Sequence, residues 1–159
     1  MSVDPGRRAA GDRQQGIHRR LAGDARLRAR RPWSIPELAY PTYAIGARLA
    51  GATAVAADGL AARSAPGAVT LVWVNSPSNP TGRVLPAGAP AQDGGLGAGE
   101  RGAVIAADEC YLGLGWDAEP VSVAAPRRCA ASPPTDVLAV HSLSKRSEHG
   151  RLPGGVRHR

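Results

Sequence analysis

Val69-Thr-Leu-Val-Trp-Val-Asn-Ser-Pro-Ser-Asn-Pro-Thr-Gly82 sets an unbroken apolar, β-prone run directly against a turn-rich tail. A strand buried on both faces reads this way, because neither face needs the polar alternation of a half-solvated sheet. Outward from it the arrangement repeats. Ala103–Ala107 is a second short apolar run, ending in Asp108-Glu-Cys-Tyr111, and Val137–Val140 is a third, ending in His141-Ser-Leu-Ser-Lys145. Upstream, a Pro-bounded entry at Ile35 leads to an expected helix over Tyr43–Ala50, broken at Gly51, and then to a short apolar run around Val55. Buried strands that each end in a polar cluster predict an α/β fold with a parallel sheet, in which ligands bind beyond the carboxyl ends of the strands. The clusters Asn75–Gly82, Asp108–Tyr111 and His141–Lys145 are therefore expected to converge on one site; the plainer alternative is three solvated loops.

A chain of 159 residues suffices for one domain with a real core. Hydrophobic residues make up 43% but aromatics only 4%, with no Phe, so the core must be filled by Ala, Val and Leu and is expected to be modestly stable. The two cysteines, Cys110 and Cys129, lie far apart with no His or Cys at metal-ligand spacing, which indicates neither a zinc site nor a disulfide framework and fits a reducing cytoplasm. No run of 18 apolar residues and no apolar stretch behind the N-terminal arginines occurs, so neither a membrane span nor a signal peptide is expected. The net charge of +7 invites a nucleic-acid reading, but its distribution argues otherwise. Residues 1–32 hold nine Arg against three Asp, residues 33–147 are close to neutral, and residues 148–159 hold three Arg against one Glu. These ends lack aromatics for base stacking and show no recognition-helix pattern.

Asn75–Gly82, Asp108–Tyr111 and Ser142–Lys145, in this order and spacing and each after an expected strand, resemble the site motifs of fold-type-I, class I/II pyridoxal 5′-phosphate aminotransferases. Each motif alone is weak: Ser-x-Ser-Lys is usually a surface loop and an Asp ending a strand is usually a helix cap. Their combination is specific. Ile35-Pro-Glu-Leu-Ala-Tyr-Pro-Thr-Tyr43 and Glu109–Trp116 further resemble the N-succinyldiaminopimelate branch.

The resemblance implies pyridoxal 5′-phosphate as cofactor and assigns the residues around it. Lys145, the only lysine in the chain, would be the amine that joins the cofactor aldehyde and later carries the substrate α-proton. A free lysine with a pKa of about 10.4 is almost wholly protonated at neutral pH, so such a site must favour the neutral amine. Asp108 would pair with the protonated pyridine nitrogen, which makes the ring an electron sink. Asn79 and Tyr111 would hydrogen-bond the phenolic oxygen, and Ser142 and Ser144 would donate to the phosphate. Tyr40 would stack on the ring or, equally, belong to the core.

Two parts of the family's phosphate site are absent: an upstream Gly-Ser/Thr loop, and an arginine eight positions after the lysine, where Pro153 stands. Displacing the codons by one base, with permitted choices at wobble positions, rereads Arg7–His18 as AVLPVTGSKEFI and Gly23–Pro32 as ATLGFGPGDR. It also rereads Gly88–Gly99 as the amphipathic EHLRKMVAWARE, Ala124–Arg128 as LHPDV and Glu148–His158 as NMAGYRAGFVT, with arginine at Pro153. The expectation is therefore a frame-damaged aminotransferase sequence: an off-frame, poorly ordered Arg-rich segment over 1–32, a partial three-layer (αβα) large domain over 33–147 and an off-frame tail over 148–159.

The expected reaction is transamination between an amino acid and a 2-oxo acid, with N-succinyl-diaminopimelate and 2-oxoglutarate as the pair the branch suggests, in lysine biosynthesis. Family members are usually homodimers, and their small domain, with the arginine that grips the substrate α-carboxylate, is expected outside these 159 residues. The chain alone is then expected to be inactive. The competing classes are a basic nucleic-acid- or acidic-partner-binding segment built on Arg7–Arg31, and a fragment without function.

Overall fold

The computed structural model describes residue 21 and residues 31–58, 69–86, 103–123, 125, 137–142 and 145. Most of the Arg-rich segment, Gly88–Gly99, most of Ala124–Arg128, Cys129, Ser144 and the tail 148–159 lie outside the described residues.

The run that begins at Val69 forms β3 (Leu71–Asn75), the middle of a five-stranded parallel sheet. Its order is β2-β1-β3-β4-β5, with β1 at Trp33–Ile35, β2 at Ala54–Ala56, β4 at Val104–Asp108 and β5 at Val137–Val140. Every neighbouring pair is parallel. The α/β class with a parallel sheet is thus as expected, and β5 has the expected bounds. β4 runs one residue further than expected, to Asp108, and β3 starts at Leu71, with Val69 and Thr70 buried just ahead of it.

β1 was not foreseen as a strand, because three residues between Pro32 and Pro36 carry no readable alternation. It is set by its neighbours: β1 pairs with β2 on one side and β3 on the other, the Trp33 N–H donates to Thr53 O at 2.8 Å, and Pro32 O accepts from Thr70 N–H at 3.1 Å.

Parallel neighbours need a crossover, and between β1 and β2 it is helix α1 (Thr42–Leu49), which packs on both strands. Its start carries no side-chain cap. Its end is well defined: the Ala52 N–H donates to Ala47 O at 2.9 Å and the Gly51 N–H to Arg48 O at 3.0 Å, with Gly51 at φ +72°. This is the paired C-terminal closure that a glycine in the left-handed region permits, and it satisfies carbonyls the helix leaves unbonded.

Alternation along β3 and β4 divides the core. Leu71, Trp73 and Ala106 face α1, where they pack with Trp33, Tyr43, Ala47 and Ala50. Val72, Val74, Ile105 and Ala107 face the other way and are buried with Val69 and Val123. Both faces of the central strands are therefore covered, as the unbroken apolar sequence implied. Ala47 and Ala106 have no exposed surface; side chains this small let the helix sit close enough for the Tyr43 ring to meet Trp73, at 5.0 Å between centroids and a 49° tilt.

Candidate active site

The strand register aligns the carboxyl ends. Asn75 of β3 lies opposite Asp108 of β4, and Asp108 lies opposite Val140 of β5. The three polar clusters that follow these strands consequently emerge side by side at one rim of the sheet.

Asp108 sits at the centre of that rim with 1% of its surface exposed. Its Oδ2 accepts a 2.7 Å hydrogen bond from the Tyr43 hydroxyl, and its Oδ1 accepts from the Cys110 N–H at 3.2 Å. Burial, with the adjacent Asp108 charge, pushes the Tyr43 phenol well above its ordinary value, so it stays protonated and acts as the donor. The same two causes push the Cys110 thiol up to about 12, opposed by the positive charge of Lys145. Cys110 is therefore a neutral buried thiol and not a nucleophile at ordinary pH.

The Asn75–Gly82 loop is tied to this carboxylate's backbone. Asn75 Nδ2 donates to Asp108 O at 3.0 Å, as does the Ser76 N–H at 3.2 Å, while Asn75 Oδ1 accepts from the Asn79 N–H at 2.8 Å. The loop closes on itself through Gly82 N–H to Ser78 O at 2.7 Å and Ser78 N–H to Arg83 O at 2.9 Å, and Gly82 at φ +69° makes the turn possible. The Ser76–Pro77 and Asn79–Pro80 peptide bonds are cis.

Asn79 and Tyr111 line the same open cleft of about 580 Å³, together with Arg83, Leu114, Trp116 and Asp117. Trp116 is 96% exposed at its mouth. Lys145 reaches the rim from beyond β5, its Nζ 5.8 Å from the centroid of the Tyr111 ring, within cation–π range. Ser142 is half-buried near the end of β5, and Ser144 lies outside the described residues.

Of the expected site residues, Asn79, Asp108, Tyr111, Ser142 and Lys145 thus come to the ends of three adjacent strands. Tyr40 stands just ahead of α1 and is 57% exposed, so the alternative that placed it in the core does not hold; Tyr43, three residues on, takes the core position. Three contributors were not foreseen: Tyr43 as a partner of Asp108, Asn75 as the anchor of the loop, and Glu109, whose side chain is turned away from Asp108. The Tyr43 contact spans 65 residues and leaves no trace in local spacing. Glu109 was legible only as part of a motif. Among the described residues no group of His, Cys, Asp or Glu could hold a metal ion, and no helix is long and apolar enough to cross a membrane.

A sequence model of the family described as aminotransferase class I and II matches residues 25–148. The chain belongs to this family. The protein named "Probable aminotransferase" from Mycobacterium tuberculosis is 54% identical over 113 residues, covering 71% of this chain and 26% of its own length. The 4-dedimethylamino-4-oxo-anhydrotetracycline transaminase of Streptomyces rimosus is 46% identical over 124 residues, covering 77% and 33%. Among solved structures, a probable N-succinyldiaminopimelate aminotransferase from Thermus thermophilus superposes with a TM-score of 0.70 at 26% identity, covering 94% of this chain and 42% of that one. The chain spans about a quarter to a third of the length of the curated relatives it matches.

Proposed function

We propose that the chain is the cofactor-facing part of a pyridoxal 5′-phosphate-dependent aminotransferase that exchanges an amino group between an amino acid and a 2-oxo acid. The observation that carries this reading is the side-by-side register of Asn75, Asp108 and Val140, which draws Asn79, Asp108, Tyr111 and Lys145 to one rim. The donor set suits the cofactor. Asp108 is a buried carboxylate for a protonated ring nitrogen, held in place by the hydrogen bonds it accepts from Tyr43 and Cys110. Asn79 and Tyr111 suit a phenolic oxygen, Ser142 a phosphate oxygen, and Lys145 an aldehyde. Tyr40, exposed ahead of α1, is the aromatic for the ring face, and Ser144 a second phosphate donor.

When bound, the cofactor supplies an electron-withdrawing ring that stabilises the charge left on the substrate carbon as its proton departs. Asp108 keeps the ring nitrogen protonated, and Tyr43 holds the carboxylate in place. The Lys145 amine takes the α-proton and returns it. Asn79 and Tyr111 fix the phenolic oxygen, and the cleft edged by Leu114 and Trp116 receives the substrate side chain.

The narrower substrates in this proposal are N-succinyl-diaminopimelate as donor and 2-oxoglutarate as acceptor, in lysine biosynthesis. They rest on the likeness of Ile35–Tyr43 and Glu109–Trp116 to that branch and on the name of the Thermus thermophilus neighbour. The whole enzyme is proposed to be a cytoplasmic homodimer, and the 159-residue chain alone to be inactive. The gene is proposed to carry frameshifts on either side of the intact blocks. Sequencing should then find, in the shifted frame, an open reading frame joining Arg7–His18, Gly23–Pro32, Gly88–Gly99, Ala124–Arg128 and Glu148–His158 to the rest and continuing past codon 159; a stop codon inside any of these rules the frameshifts out. The frame-restored protein should transaminate N-succinyl-diaminopimelate with 2-oxoglutarate and lose this on Lys145→Ala. Turnover near the parent rate in that variant overturns the lysine assignment and the mechanism with it.

A further inference from the structure

Next to Asp108, Glu109 is a second carboxylate that the proposed chemistry does not use, and at 2% exposure it is among the most buried large side chains described. A charge so deep is retained only with partners around it. Its Oε1 accepts from the Val123 N–H at 2.6 Å, its Oε2 accepts from the Ser122 hydroxyl at 2.8 Å, and His141 Nε2 lies 3.4 Å from the same Oε2. Its own N–H donates to Val140 O at 2.8 Å. Glu109 is therefore bonded to two separate segments. One limb holds residues 122–123. The other, through Val140 and His141, holds the root of the segment that carries Lys145. Two residues after Glu109, the Tyr111 ring meets the Lys145 ammonium.

We infer that Glu109 is a positioning residue that, through His141, sets where the Lys145 amine stands over Tyr111. The inference rests on Lys145 being the reacting amine, but it is a statement about geometry and can be read without turnover. Backbone pairing of β4 with β5 ends at Asp108 and Val140, and just beyond it, among the described residues, the Glu109 contacts join the two chain segments close to where Tyr111 and Lys145 meet. The two sets of contacts can be perturbed separately. Removing the His141 side chain, 43% exposed, deletes its contact with Glu109 and leaves the Ser122, Val123 and Val140 bonds; removing the Ser122 hydroxyl deletes one bond to the far segment and leaves the His141 contact and the two backbone bonds in place.

The single lysine makes the test site-specific. Reductive methylation of the 159-residue chain with 13C-formaldehyde labels Lys145 and the α-amino group, and a ring current displaces the Lys145 methyl resonance when the amine sits over Tyr111. The displacement is expected in the parent and absent in Tyr111→Leu. His141→Ala and Glu109→Gln should lose it, Ser122→Ala should keep it, and His141→Gln, which retains an N–H donor, should restore most of it. An undisplaced parent resonance overturns the inference, as does displacement that survives His141→Ala or is lost equally in Ser122→Ala. If circular dichroism shows Glu109→Gln unfolded, the His141 and Ser122 variants decide alone. Reductive trapping of pyridoxal 5′-phosphate on Lys145 in the frame-restored protein tests the aminotransferase reading separately, so failure of one is distinguishable from failure of the other.

Discussion

The Tyr43 hydroxyl and Asp108 Oδ2 are 2.7 Å apart across 65 residues of chain, a single hydrogen bond that joins the crossover helix to the carboxylate at the centre of the site. Both groups are buried, so the bond contributes to stability as well as to orientation.

Tyr43→Phe keeps the ring against Trp73 and deletes only the hydroxyl. A hydrogen bond to a charged group contributes about 1.5–3 kcal/mol, so urea unfolding of the chain should show a loss in that range. A loss under about 0.5 kcal/mol, less than even a neutral hydrogen bond typically contributes, shows that the bond does not persist in solution.

Raising the pH should destabilise the fold before any arginine titrates. The Cys110 thiol is pushed up from 9.0 to about 12, and the Tyr43 phenol is raised from 10.0. Both groups bind protons more tightly folded than unfolded, so their stabilisation is complete below the unfolded values and falls as the unfolded chain releases protons that the folded one keeps. The thermal midpoint should decline from about pH 9 toward 12, and Cys110→Ala should delay the onset to about pH 10, where the phenol begins to act. An unchanged onset in Cys110→Ala shows that the thiol is not the first group to titrate.

Cofactor affinity of the 159-residue chain should be poor. Phosphate sites draw on backbone N–H groups at a helix start and on bidentate arginine, and the sequence lacks both the Gly-Ser loop and the arginine, with Pro153 in its place. An absorbance titration with pyridoxal 5′-phosphate should show a Kd weaker than micromolar. Micromolar binding means that Ser142 and its neighbours hold the phosphate unaided.

In the frame-restored protein, Asp108→Asn should retain cofactor yet slow α-proton removal. A neutral amide cannot hold the ring nitrogen protonated, and losing a preorganised electrostatic partner costs about 3–4 kcal/mol, or roughly two to three orders of magnitude in rate. Single-turnover absorbance with glutamate as donor reads this directly. Asn79→Ala should slow the same step less; an effect as large as that of Asp108→Asn reassigns the dominant electrostatic role to the phenolic oxygen.

What was legible in the sequence follows from which forces are local. β3 and β4 are buried on both faces and, with the partly exposed edge strand β5, announce themselves as unbroken apolar runs, and Gly51 marks the end of α1 because only the left-handed region closes that helix. β1 was hidden because its strand character comes from Ala54–Ala56 and Leu71–Val72 on either side and not from Trp33–Ile35 itself. The site behaved similarly. Asn79, Asp108, Tyr111 and Lys145 stand in short motifs whose spacing is informative, whereas the roles of Tyr43 and Glu109 arise from contacts between distant segments. Tyr40 and Tyr43 show the limit most sharply: two tyrosines three residues apart, one exposed and one in the core, with nothing in Ala-Tyr-Pro-Thr-Tyr to say which is which.

Asp108 and Glu109 are consecutive acids on opposite sides of the sheet, one bonded to Tyr43 and the other to Ser122 and Val123. Losing a single codon within Val104–Ala107 would shift every later residue by one place, presenting a glutamate to the tyrosine, a cysteine to Ser122 and Val123, and an aspartate to the apolar cluster where Ala107 now packs. Both sides of the sheet would then be wrong at once. Length variation among descendants of this sequence should therefore accumulate in the connections and be purged from the four residues ahead of Asp108, whatever their individual side chains become.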